Sequence, residues 1–279
     1  MERSFYNEDG FFTDLAIERR RAPLDTEGVE MKKSYSGDLI WERIRITSEE
    51  GAKAIGRPIG SYDTLTCPRM DKLSDEEMLD LSNELARELC ETVEALGIIP
   101  ERLLAVGLGN AALTPDSIGP RAADMINATL HIRDSDRSFF SELECSEIAV
   151  LSPGVAAKSG MNSEDIITAV CERLMPDAVI AIDSLASRSE TRLGTTFQVS
   201  DTGIIPGSGI GSKRAPLNER TLGCPVIAIG VPTVISAAYL TGGRRELSDM
   251  FVSPREIDGI AENAAKIISM AVNQAFGVI

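Results

Sequence analysis

Histidine is nearly absent from this 279-residue chain: His131 is the only one. A zinc site built on two or three imidazoles is therefore excluded. A Ser-His-Asp triad would have to use His131, which follows an expected helix over 121–130 and reads as a surface or packing position. Cysteine is scarce and scattered. Cys67, Cys90, Cys145, Cys171 and Cys224 are odd in number and show no CxxC spacing. They offer no substitute metal site, and none has a base beside it to activate a thiolate. Their expected role is that of small buried apolar side chains in a reducing compartment. Positive charge is in short supply too. Lys and Arg number 28 against 43 Asp and Glu, for a net charge of −15. That balance argues against nonspecific nucleic-acid binding and suits a basic or loosely structured partner. No apolar run reaches roughly 18 residues, the length a spanning helix needs. Met1-Glu2-Arg3 leads into no apolar stretch, so no secretory signal is expected.

What is present is organised around residues 103–120, LLAVGLGNAALTPDSIGP. Leu103, Leu104, Ala105, Val106 and Leu108 form an apolar run broken by Gly107 and Gly109. Such a run, bounded by breakers, suits a strand buried on both faces, as in a parallel sheet. A loop of small and polar residues follows and ends in Thr114-Pro115-Asp116. The pattern recurs at 178–183, where Ala-Val-Ile-Ala-Ile runs into Asp183. Each run delivers a carboxylate just past a buried strand. Ligands of open α/β sheets sit at the carboxyl ends of strands, so Asp116 and Asp183 are expected to share a cleft. Two carboxylates in one site cannot both ionise easily, so one can serve as acid and the other as base. The plainer role for each Asp is a turn former or helix cap.

The rest of the chain reads as alternating strands and helices. Strands are expected at 39–46, with Ile44 and Ile46 inward and Arg43 and Arg45 outward, and at 62–66, 148–151, 195–199 and 226–231. Ser48 and Gly56 frame a short helix. Ser74 and Glu77 form a capping box for a helix carrying Leu81, Leu85, Leu89, Val93 and Leu96, which Gly97 stops. Further helices are expected at 164–174, from Pro232 to about 240, and from a capping box at Ser253-Pro254-Arg255-Glu256 to about 276. This order predicts βαβ units: one α/β domain with an N-terminal extension and a largely parallel sheet. Residues 11–18, FFTDLAIE, read as a short terminal helix or as a strand-like peptide for a protease site. Arg19-Arg20-Arg21 reads as a solvated basic turn. Residues 200–216 form a long Gly-rich loop, expected to be a flap or substrate edge. Its Gly207, Gly209 and Gly211 do not have dinucleotide or Walker spacing. Arg188 is a candidate to hold a substrate carbonyl or carboxylate.

Several segments together resemble a known family. They are TPDSIGP (114–120), LSPGVAAKSGMNSEDII (151–167), AIDSLASRS (181–189), TTFQVSDTGIIPGSGIGSKR (195–214), LGCPVIAIGVPTV (222–234) and FVSPREID (251–258). In this order they are similar to the germination protease of endospore-forming bacteria, an atypical aspartic peptidase family. TDLAIE (13–18) resembles that family's processing site, and the chain is shorter than Bacillus members, mainly after Val234.

The resemblance implies an endopeptidase made as a zymogen that cuts small acid-soluble spore proteins at germination. It implies Asp116 and Asp183 as the catalytic pair and no cofactor or metal. Self-cleavage between Asp14 and Leu15 would release a propeptide, 1–14, from a peptidase domain, 15–279. It further implies a doubly wound α/β fold, a largely parallel sheet flanked by helices like that of the hydrogenase-maturation proteases, a homotetramer, and a place in the cytoplasm of the spore core, with no membrane and no direct nucleic-acid partner. Arg188, Gly207, Gly209 and Gly211 are then candidates for substrate binding. Two other readings stay open. One is a metal-dependent maturation-type peptidase using Asp116, Asp183 and His131. The other is a non-enzymatic nucleotide or phosphate-binding regulator using the loop 207–211.

Overall fold

The computed structural model describes residues 13–19, 26–211 and 214–277. Phe11, Phe12, Arg20 and Arg21 lie outside them. Among the described residues nine strands form one sheet: β1 (Val29–Ser36), β2 (Leu39–Ile46), β3 (Gly60–Thr66), β4 (Arg102–Gly107), β5 (Glu147–Leu151), β6 (Ala178–Ser187), β7 (Thr196–Ser200), β8 (Val226–Ser236) and β9 (Phe251–Val252). The order is β1-β2-β3-β7-β8-β6-β4-β5, with β9 paired to β8.

The sheet is mixed, which corrects the expectation of a largely parallel one. Only β5-β4-β6-β8 run parallel. The ladder from β1 through β2, β3 and β7 to β8 is antiparallel throughout. The reason is local. β1 and β2 are joined by the tight Gly37-Asp38 turn, Gly37 having φ +59°, and such a turn can only return the chain antiparallel. The polar strand β1 carried too few apolar residues to stand out from sequence.

The parallel half is covered on both faces. On one face Leu103, Ala105, Ile180, Ile182, Phe197 and Ile229 pack against the helices α2 (Asp75–Ala95), α3 (Ile118–Met125) and Ile257–Phe276. On the other, Leu104, Val106, Val179, Ala181 and Val226 meet Ile167 and Cys171 of the helix Ser163–Leu174. Burial on both faces is why these strands read as unbroken apolar runs. Each fully buried Leu or Ile contributes about 1.5–3 kcal/mol. A third cluster, of Ala16, Ile44, Ile46, Ile55 and Tyr62, underlies the antiparallel half.

The Ser74–Glu77 capping box forms and starts α2, and Ser48 and Gly56 cap α1 (Glu49–Ile55). Other expectations are corrected. Pro232 does not start a helix: β8 runs on to Ser236, and only Ala237–Leu240 is helical. Pro232 is accommodated beside a register shift at Leu185/Ala186, where a missing N–H costs least. Ser253 does not cap the last helix, which begins at Ile257 with no side-chain cap. Glu256 instead pairs with Arg69 at 2.9 Å. Arg43 and Arg45 do not simply face water, because that face of β2 carries buried carboxylates beneath it. Cys67, Cys171 and Cys224 are buried, whereas Cys90 is exposed and Cys145 half-buried.

Candidate active site

Asp183 is not past a strand end but inside β6. What ends there is its neighbour: β4 pairs with β6 only as far as Gly107↔Ile182, and the Leu108 amide donates to Ile182 O at 2.8 Å. Beyond that point β6 has a free edge facing the crevice. Asp183 is 5% exposed and its Oδ1 accepts from the Ser184 amide at 2.9 Å.

Asp116 is half-buried at the end of the 3-10 turn Thr114–Asp116, just before α3. Its carbonyl accepts from the Asn110 amide at 2.9 Å, and Thr233 Oγ1 donates to Pro115 O at 2.6 Å. Gly119 lets this turn press onto the sheet. A Cβ there would lie 2.2 Å from Leu108 O and 2.5 Å from Ile182 O.

The charge of Asp116 reaches the Asp183 carboxyl. Burial first, then the charges of Asp116 and Asp14, hold the Asp183 carboxyl well above the usual carboxylate range. The Ser184 amide and Arg214 offset part of that effect. Burial also raises Asp116, against the Asn110 amide and Arg214. Both carboxyls are thus harder to ionise than an exposed one, Asp183 the more so.

The third carboxylate belongs to the N-terminal segment, which lies in the same cleft. Thr13, Leu15 and Ala16 are fully buried and Asp14 is 8% exposed. The Asp14 amide donates to Ala186 O at 2.9 Å, a backbone bond to the part of β6 that lies beyond its pairing with β4. The Ala186 amide donates to Asp14 Oδ2 at 2.8 Å, and Ser208 Oγ donates to Asp14 Oδ1. The Asp14 carbonyl accepts from Arg57 Nη2 at 2.5 Å and Gln198 Nε2 at 3.1 Å. Arg57 Nη2 also donates to Thr13 O at 3.1 Å, and the Ala16 amide donates to Gln198 Oε1 at 2.8 Å. Downstream, Glu18 accepts from Ser187 Oγ and the Arg188 amide, each at 2.6 Å, and from the Ser189 amide at 3.1 Å.

The candidate binding residues divide. Gly209 touches the segment directly: a Cβ would sit 2.0 Å from Asp14 Oδ2 and 2.5 Å from Ala186 Cβ. Gly207 and Gly211 do not; they flank the 3-10 turn Ser208–Ile210, both left-handed, and set its shape. Arg188 contributes its amide, which donates to Glu18 at 2.6 Å, and its guanidinium lies 5.7 Å from the Tyr239 ring centre. Sequence reading missed Arg57, Gln198, Ser208 and Arg214. Arg57 follows a helix cap, and Gln198 is one polar residue within a buried strand. Neither carries a spacing signal. Among the described residues no three His, Cys, Asp or Glu side chains are grouped as a metal site requires. His131 lies exposed within the short helix Leu130–Ser135, not after a helix. That helix packs on β5, the edge strand.

An α/β protein with two crowded carboxyls at a sheet crevice, and an extended segment lying beside them, belongs to the class that binds or cuts peptides. The comparisons with known proteins make this specific. The family model for germination protease matches residues 12–247. A germination protease of Caldanaerobacter subterraneus subsp. tengcongensis is 34% identical over 309 residues, covering 95% of this chain and 94% of that one. One from Clostridium perfringens is 33% identical over 310 residues, covering 94% of each. One from Bacillus licheniformis is 40% identical over 240 residues, covering 82% of this chain and 64% of that longer one. The chain belongs to the germination protease family and is a peptidase. No helix among the described residues is long and apolar enough to cross a membrane.

Proposed function

We propose that this chain is a self-processing zymogen whose Asp116 and Asp183 activate water, and that its substrates are small acid-soluble spore proteins. The observation that carries this reading is the position of Asp14: its buried side chain is near enough to Asp183 to oppose its ionisation, which supports Asp14–Leu15 as the bond presented to the pair. One carboxylate takes a proton from water as the oxygen attacks the Asp14 carbonyl carbon, and the other carboxyl supplies a proton or hydrogen bond. Burial favours Asp183 as the site of the shared proton. Released residues 1–14 are the propeptide, and 15–279 act as one peptidase domain. Its parallel half corresponds to the hydrogenase-maturation protease fold. The chain works as a homotetramer in the cytoplasm of the spore core.

Intact mass during incubation at mildly acidic pH tests this reading. The wild-type chain should lose residues 1–14, whereas Asp116→Asn and Asp183→Asn should stay whole. The rate should fall at high pH, where both carboxyls ionise, and should not change with a chelator. Equal behaviour of all three chains would refute self-processing by this pair.

A further inference from the structure

We infer that Arg57 and Gln198 form the oxyanion site of this peptidase. The inference rests on the reading of Asp14–Leu15 as the bond that is cut. Both side chains donate to the carbonyl oxygen of Asp14, Arg57 Nη2 at 2.5 Å and Gln198 Nε2 at 3.1 Å. When water adds to this carbonyl, its oxygen becomes an alkoxide, and donors already aimed at it gain strength as the charge grows. Low dielectric raises that gain, and the segment that carries the bond is buried.

The two donors are held in place before reaction. Gln198 cannot flip without losing a bond, because its Oε1 accepts from the Ala16 amide at 2.8 Å while its Nε2 faces Asp14. Arg57 Nη2 spends its protons on two successive carbonyls, those of Thr13 and Asp14. Its Nε is buried with no partner, a further donor beside the segment. A carbonyl–guanidinium bond is charge-assisted, so it both seats the peptide and polarises it.

This assignment also settles what the carboxyls must do. The carbonyl oxygen is served from the antiparallel half, through the strand β7 and the end of α1. The protonated carboxyl is then free to pass its proton to the Leu15 nitrogen as the C–N bond breaks. The ionised carboxylate takes the proton of the attacking water. Water adds across the peptide bond, giving the Asp14 carboxyl and the Leu15 amine, and the pair recovers its single shared proton.

The test is the first-order rate of self-cleavage in the full chain, with hydrogen exchange of residues 13–18 measured in parallel. Arg57→Ala should slow cleavage by about 10²–10³-fold while the amides of Asp14 and Ala16 stay protected. Methylguanidinium added to that variant should restore part of the rate. Gln198→Met should slow cleavage by about tenfold or more, and it carries the test if Arg57→Ala does not fold. Cleavage of both variants within about threefold of wild type overturns the inference. So does a slow variant whose segment has lost protection and that methylguanidinium does not rescue, since Arg57 would then only seat the peptide. A wild-type chain that never cuts between Asp14 and Leu15 overturns the underlying reading, and this one with it.

Discussion

Two pairs of buried or half-buried carboxyls lie in two halves of this protein, and they are treated differently. In the antiparallel half Asp63 and Glu88 are 2% and 3% exposed. Each has its own arginine: Arg45 grips Asp63 at 2.8 and 2.9 Å, and Arg43 meets Glu88 at 2.5 Å. In the parallel half Asp183 and Asp116 have no such partner among the described residues. Arg214, exposed on the Gly-rich loop, acts on them only at a distance. A buried carboxylate matched by a guanidinium ties elements together, here β2, β3 and α2. Both pairs contain a raised carboxyl, Glu88 in one and Asp183 in the other; what differs is that guanidiniums occupy the first pair, whereas the second is left open to other partners.

The sharpest way to break this comparison is Asp183→Asn. It should lower self-cleavage by at least about 10³-fold yet leave the thermal midpoint unchanged or higher, because a poorly ionised buried carboxyl is replaced by a neutral isostere. A large fall in the midpoint would place Asp183 with the structural pair. Next comes the seam between the halves. Phe197 on β7 is fully buried and faces the main core. Phe197→Ala should cost about 3–5 kcal/mol in denaturant unfolding, and a single transition would show that the halves unfold together.

The third prediction concerns pH. Burial first, then Asp63, pushes the Glu88 carboxyl up to about 8, against the pull of Arg43. A raised carboxyl favours folding while protonated. Its contribution is complete below about 4.5, the ordinary value, and is lost as pH rises to about 8. Denaturation midpoints should therefore fall across that window, by an amount on the order of a few kcal/mol, and Glu88→Gln should flatten the fall. The smallest effect is expected far from both pairs: Ser74→Ala removes the cap from Glu77 N and should cost about 1 kcal/mol with no change in cleavage.

Much of the parallel half was legible because its signals are local. The unbroken apolar runs at β4 and β6, the Ser74 box and the Gly56 stop each follow from neighbouring residues. β1 was not, because its polar side chains leave no period to read. The end of β8 was misread because a proline ordinarily excludes a strand, and a register shift in the partner strand admits it here. At the site, Asp116 and Asp183 stood out by type and position. Arg57 and Gln198 did not, since they are separated from the segment they hold by 43 and 184 residues.

By itself the sequence determined the family, because its motifs are written in consecutive residues, and it singled out Asp116, Asp183 and TDLAIE as candidates. The tertiary structure decided where β4 stops against β6, which opens an edge for Asp14, and which half supplies the donors for its carbonyl. Those outcomes depend on register and crossing between distant strands, and no local pattern encodes them.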